Sequence, residues 1–146
     1  MDGGMVDVSG KPVVPRQARA CGKIRLRRET IRLIQEGAVE KGDVVESSKI
    51  VAINATKDTS RLLPYCHNIP IEWVGFNHRI GPDWVEVCVT VRTSAKTGVE
   101  MEAICAVLAA LANIWDMVKK YEKDRRGQYP YTMIYDVRVV EKSKEG

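Results

Sequence analysis

From Ala103 to Trp115 every position is apolar except Asn113, and no other run in the chain is as long. Between Glu100 and Lys120 Ala and Leu dominate and neither Pro nor Gly occurs, so the pattern predicts a helix. It is apolar nearly all round, which requires cover on more than one side. Thr97 with Glu100 matches the hydroxyl-then-Glu capping pattern and sets the start of that helix. Gly22–Arg27 alternates polar with apolar, as a half-buried strand does, and Glu29–Glu36 reads as a short helix stopped by Gly37. After a turn at Lys41-Gly42-Asp43, Ser47 or Ser48 caps a second helix over Lys49–Leu63. Ile71–Ile80 and Trp84–Arg92 form an antiparallel strand pair around Gly81-Pro82-Asp83, and Met133–Val140 is the last strand. Met5–Arg19 has two Pro and no period, so residues 1–20 read as an extended arm of a single domain, 1–146. Asp124–Tyr131 is a polar connector, and Glu141–Gly146 a charged tail. This order predicts an α+β fold, ferredoxin-like, an antiparallel sheet with helices packed on one face.

Composition narrows the class. A chain of 146 residues, 45% hydrophobic, suits one ordinary domain with its own core. The longest apolar run falls short of the ~18 residues of a membrane span, and MDGGMVDVSG lacks the order of a signal peptide. The expectation is a soluble, cytoplasmic protein. Cys21, Cys66, Cys88 and Cys105 stand singly without a CxxC pair, so neither disulfides nor a structural zinc are expected. A net charge of +4 suits an anionic ligand. An RNA-binding module of ferredoxin-like build is the alternative class. Such modules carry aromatics on the open sheet face, whereas this chain has one Phe and an aliphatic strand around Val87.

The polar residues of the long helix raise a geometric question. Glu102 and Asp116 are fourteen residues apart, which leaves them only about 40° apart in azimuth but roughly 21 Å apart along the axis. One small-molecule site cannot take both from one helix. Either they serve different sites, or one site draws an end from each of two subunits. Glu100 and Glu102 suit the helix N-terminus and Lys119 and Lys120 the C-terminus, but Asp116 opposes the dipole. Asp116 and Lys119, three apart, can touch. On the second helix Lys57 shares a polar side with Asp58 and Arg61, the pattern of a solvated face. Cys66-His67 lies in a loop between Pro64 and Pro70, where rigidity can hold functional groups. Adjacent residues rarely ligate one ion, so no metal is expected there.

Several strings together resemble one family. They are Met5-Val6-Asp7-Val8-Ser9 with Lys11, Lys41-Gly42-Asp43-Val44, Ala55-Thr56-Lys57 with Thr59, and Pro64-Tyr65-Cys66-His67. Lys96-Thr97-Gly98-Val99-Glu100-Met101-Glu102-Ala103, Asp116-Met117 with Lys119, and Asp136-Val137-Arg138 complete the set. Over nearly its whole length the chain resembles the cyclic pyranopterin monophosphate synthase family, also called the molybdenum cofactor biosynthesis protein C family. It departs from the usual Leu-Cys-His-Pro at Tyr65-Cys66-His67-Asn68, and Arg125–Tyr131 looks like an insertion.

The resemblance implies a cofactor-free, metal-free lyase of molybdenum cofactor biosynthesis. It would convert (8S)-3',8-cyclo-7,8-dihydroguanosine 5'-triphosphate to cyclic pyranopterin monophosphate and release pyrophosphate. Asp116 and Lys119 are the implied catalytic pair. Tyr65, Cys66, His67, Glu100, Met101 and Glu102 are implied on the pterin side. Lys41, Lys57, Arg16 and Lys142 are implied cations for the triphosphate, a group that needs several. The family also implies a homohexamer, a trimer of dimers, with the site between subunits, and no nucleic-acid or membrane partner.

Overall fold

The computed structural model describes residues 3–145. Met1, Asp2 and Gly146, the ends of the expected arm and tail, lie outside the described residues. In chain order the elements are β1 (Val14–Arg25), α1 (Arg28–Gln35), α2 (Val44–Leu62), β2 (Trp73–Ile80), β3 (Trp84–Ala95), α3 (Glu100–Glu122) and β4 (Met133–Lys144). The strands form one antiparallel sheet in the order β2-β3-β1-β4. This is the α+β, ferredoxin-like arrangement expected from the pattern.

The register of the two central strands explains the core. Ala18, Ala20, Gly22 and Ile24 stand opposite Val91, Val89, Val87 and Val85, all on the buried face. Small residues on β1 leave room for α3. A Cβ at Gly22 would come within 2.8 Å of Val137 Cγ2 and 2.9 Å of Val107 Cγ1, so glycine is needed for helix and sheet to meet there. From α3, Ala103, Ala106, Val107, Ala110, Leu111, Ile114 and Val118 fill the interface at helical spacing. Its most apolar window has a mean hydropathy of 1.6, enough by length and composition to cross a bilayer, and half of that window is buried within this fold. Helix α2 lies against α3 through small and hydroxyl residues. Thr56 and Thr59 donate to Ala52 O and Ala55 O at 2.8 Å, and Asn113 of α3 donates to Ser47 and Ser48 at 3.2 Å.

Several boundaries differ from expectation, each for a physical reason. Strand β1 begins at Val14, not Gly22, so residues 14–20 are sheet and not arm. Its inward positions include a buried Arg16, and that charge disguises the alternation. Strand β4 runs on to Lys144, through the expected tail; its edge side chains are charged and exposed, and only main-chain pairing with β1 marks it as strand. Helix α2 starts at Val44 because Asp43, after the left-handed turn at Gly42, accepts from Glu46 N at 3.0 Å; Ser47 and Ser48 lie inside the helix. The Thr97–Glu100 capping pair does not form. Val99 occupies the cap position without a side-chain bond, and Glu100 turns to Lys142. Cys21 and Cys88 also depart from expectation. They face each other in register across β1 and β3, Cα atoms 4.1 Å apart, joined as a disulfide. Sixty-seven residues separate them, and register is invisible in that spacing.

The far end of α3 is fixed by one buried carboxylate. Glu122 accepts from Arg27 N at 3.0 Å, from Thr132 Oγ1 at 2.6 Å and from Thr30 Oγ1. It thereby caps α1, whose own cap residue Arg27 supplies no side-chain bond, and ties the start of β4 to the same point. Replacing Glu122 with Ala strands three buried or half-buried donors, so urea unfolding should show a loss of about 3 kcal/mol or more. A loss below about 1 kcal/mol would mean that the junction is held by packing alone.

Candidate active site

The residues singled out from the sequence fall mostly at the two ends of α3. At its N-terminal end the Leu63–Pro70 loop, the residues before the helix and the arm enclose a hollow of about 560 Å³. Tyr65, Cys66, His67, Glu100 and Met101 line it, together with Lys11 of the arm. Lys96 Nζ holds the arm by bonding Ser9 O at 3.3 Å. Glu102 lies just behind this wall, 2% exposed, with Cys66 Sγ donating to its Oε2 at 3.7 Å. Its Oε1 and the Oε2 of Glu100 are buried and have no hydrogen-bond partner. Lys142, from β4, reaches Glu100 Oε1 at 3.3 Å.

The electrostatics of this end are those of under-compensated acids. Burial holds the Glu102 carboxyl above its ordinary pKa, and the nearby Glu100 adds to the effect. Burial, then the negative charge of Glu102, pushes the Cys66 thiol up to about 11, and burial also raises Cys105. Cys66 is therefore a neutral donor near physiological pH, not a nucleophile.

The opposite end of α3 has the reverse balance. Asp116 is exposed and faces two ammonium groups. Lys119 Nζ lies 3.1 Å from Oδ1, and Lys41 Nζ 3.3 Å from Oδ2 and 3.0 Å from the Asp116 carbonyl. The Lys119 bond, then the Lys41 bond, lowers the Asp116 pKa, so this carboxylate stays ionised. Lys41 is expected from the sequence as a phosphate contact; in the fold it meets the implied catalytic pair directly.

Two expected cations line neither the hollow nor the Asp116 cluster. Arg16 is buried, and its guanidinium bonds Ala95 O at 3.1 Å and Lys96 O at 3.2 Å. Lys57 sits exposed on α2, with no ion pair or side-chain hydrogen bond among the described residues. Lys11, to which charge and period give no role, lines the hollow; its place beside Met5–Ser9 in the shared string is the signal that marks it. Among the described residues no three His, Cys, Asp or Glu side chains converge as a metal site.

The chain can now be set beside known proteins. The profile of the MoaC family matches residues 5–145. The probable cyclic pyranopterin monophosphate synthase of Pyrococcus abyssi is 54% identical over 140 residues, 96% of this chain and 88% of that one. Its counterpart from Thermoplasma acidophilum is 52% identical over 140 residues, 96% of this chain and 98% of the other. The Aeropyrum pernix protein of the same name is 53% identical over 141 residues, 97% of each chain.

The coupling of Cys66 to Glu102 makes a direct prediction. Alkylation of Cys66 by iodoacetamide, followed by peptide mass spectrometry, should be slow near neutral pH, rise about tenfold per pH unit with the thiolate fraction and level off only near about 11. Glu102→Gln removes the repelling charge, lowers the thiol pKa and should speed the reaction at fixed pH. An unchanged rate in that variant would contradict the contact.

Proposed function

The chain belongs to the MoaC family, and on that premise we propose that it is a cyclic pyranopterin monophosphate synthase whose active site joins the two ends of α3 from different subunits. The reaction is lyase chemistry in molybdenum cofactor biosynthesis. It takes (8S)-3',8-cyclo-7,8-dihydroguanosine 5'-triphosphate to cyclic pyranopterin monophosphate. A triphosphate that becomes a cyclic monophosphate with loss of pyrophosphate needs an internal hydroxyl to attack the α-phosphorus while the bond to the β-phosphate breaks. That step needs a base for the hydroxyl proton and cations for the departing charge. The relatives lend no support to an RNA-binding module.

One observation carries the assignment of roles: Asp116 held between Lys41 and Lys119. The two ammonium groups keep Asp116 ionised; they also weaken it as a base, so it gains strength when a ligand's phosphates draw the ammonium groups away. They also supply positive charge where a triphosphate would lie, with Lys57, Lys142 and Lys11 as further cations. Arg16 acts on the backbone that leads into the hollow, through Ala95 and Lys96. His67, Cys66 and Met101 form the pterin wall, with Glu102 behind it. Glu102, with its raised pKa and a free oxygen, is suited to hold a ring N–H or to pass a proton.

The shared site follows from the helix itself. Between its two polar ends the outer face of α3 leaves Met101, Leu108 and Ala112 exposed and Ile104 and Trp115 half-buried. Ala109 lies seven residues from both Glu102 and Asp116. A second copy docked antiparallel about a two-fold axis near Ala109 covers that apolar stripe. It brings the Asp116 end of each helix to the Glu102 end of the other, acidic against basic. Two such sites per dimer, and three dimers per hexamer, complete the proposed assembly, in the cytoplasm.

Asp116→Asn should lower pyrophosphate release from the cyclic triphosphate by about 10²-fold or more without loss of fold, because it removes a base at constant shape. Lys119→Ala should be nearly as severe, and the double variant little worse than either, as for groups that act as a unit. Near wild-type turnover by Asp116→Asn would overturn the assignment.

A further inference from the structure

We propose that Tyr121 is a positioning residue for this reaction: its phenolic oxygen anchors the turn that carries Lys41 and so fixes the Lys41 ammonium on Asp116. This rests on the site reading above, which gives Lys41 its role.

Lys41 lies on no helix or strand. It sits in the turn between α1 and α2, bounded by Gly37 and Gly42, both in the left-handed region at φ 66° and 119°. Two glycines at positive φ give this segment backbone freedom. Val39 is buried and pins one point of the turn to the core. The segment beyond Val39 is held to α3 by three contacts. Lys41 reaches Asp116, Glu40 pairs with Lys120, and the Glu40 amide donates to Tyr121 Oη at 2.9 Å.

These contacts differ in what they can hold. The Lys41–Asp116 pair is 48% and 58% exposed, and the Lys120–Glu40 pair 58% and 68%. Exposed ion pairs of this kind contribute little and are screened by salt. Each also ends on a long side chain that can keep its partner while the backbone moves. A bond from Gly42 N to Val39 O at 3.1 Å closes the turn on itself, and of the three contacts with α3 only the Tyr121 bond grips the turn's backbone. Its donor is the main-chain N–H adjacent to Lys41, and its acceptor is a rigid ring on α3, half-buried and packed against the core. Tyr121 is five residues from Asp116 on the same helix, so this bond ties Lys41 to the element that carries Asp116.

The variant that isolates the bond is Tyr121→Phe, which keeps the ring and removes the oxygen. Hydrogen exchange at the Glu40 amide should lose protection. In pyrophosphate-release assays kcat/KM should fall roughly fivefold, the scale of one hydrogen bond. The charged groups facing Asp116 are Lys119 on α3 and Lys41 on the turn. With Lys41 displaced, the Asp116 pKa rises and the acid limb of the pH profile moves upward. In a Lys41→Ala background Tyr121→Phe should have no further effect on kcat/KM. An equal loss in both backgrounds overturns the proposal, because Tyr121 would then act through general stability. A severe Lys41→Ala beside a silent Tyr121→Phe overturns it alone. A silent Lys41→Ala overturns the site reading, and this proposal with it.

Discussion

Helix α3 lies against β1 at a distance set by Gly22, where the smallest side chain on the helix side would already meet Val107 and Val137. That close approach lets one apolar helix be covered by the sheet on one side and by α2 on another. Only a narrow outer stripe is left uncovered. Both clusters of candidate site residues stand at the ends of this helix, so their separation and azimuth are fixed by the same packing. A change that lifted α3 off the sheet would disturb both clusters together, although neither touches Gly22.

The two ends differ in how charge is compensated, and that difference defines their chemistry. At the N-terminal end two carboxylates keep buried oxygens without partners, and an uncharged thiol faces one of them. Groups left in this state are costly unless something later pairs with them. At the C-terminal end a single carboxylate has two ammonium partners in water. One end lacks donors and the other carries surplus cations. A ligand with ring N–H groups and a polyphosphate meets both needs at once. In the proposed dimer, two copies of α3 running antiparallel would bring those needs within reach of one ligand. The disulfide between Cys21 and Cys88 lies on the sheet face away from α3, so it staples the platform and not the site.

Much of this was legible in the sequence, and the misses have a common origin. The long helix, the strand pair around Gly81-Pro82-Asp83 and the short helix before Gly37 have strong local patterns that set limits close to the observed ones. The first half of β1 shows no strand pattern because a buried Arg16 occupies an inward position, its charge absorbed by the carbonyls of Ala95 and Lys96. The end of β4 was missed because edge strands are held by main-chain bonds that leave no mark in composition. Register-dependent facts, the Cys21–Cys88 pairing and the meeting of Lys41 with Asp116, join residues far apart in sequence and have no local signal. The site residues themselves were named through whole motifs resembling a family, not through period or charge.

In the proposed site the Glu102 end and the Asp116 end of α3 meet across two subunits. Glu102→Gln and Asp116→Asn proteins, each inactive alone, can be unfolded, mixed and reassembled, with mixed oligomers verified by mass. If each site takes one end from each chain, a mixed pair holds one doubly defective site and one intact site. Random mixing should then recover roughly a quarter of wild-type pyrophosphate release, as an isologous two-fold arrangement requires. If both ends serve one site within a chain, every site carries a defect. No recovery from verified mixed oligomers would contradict the claim.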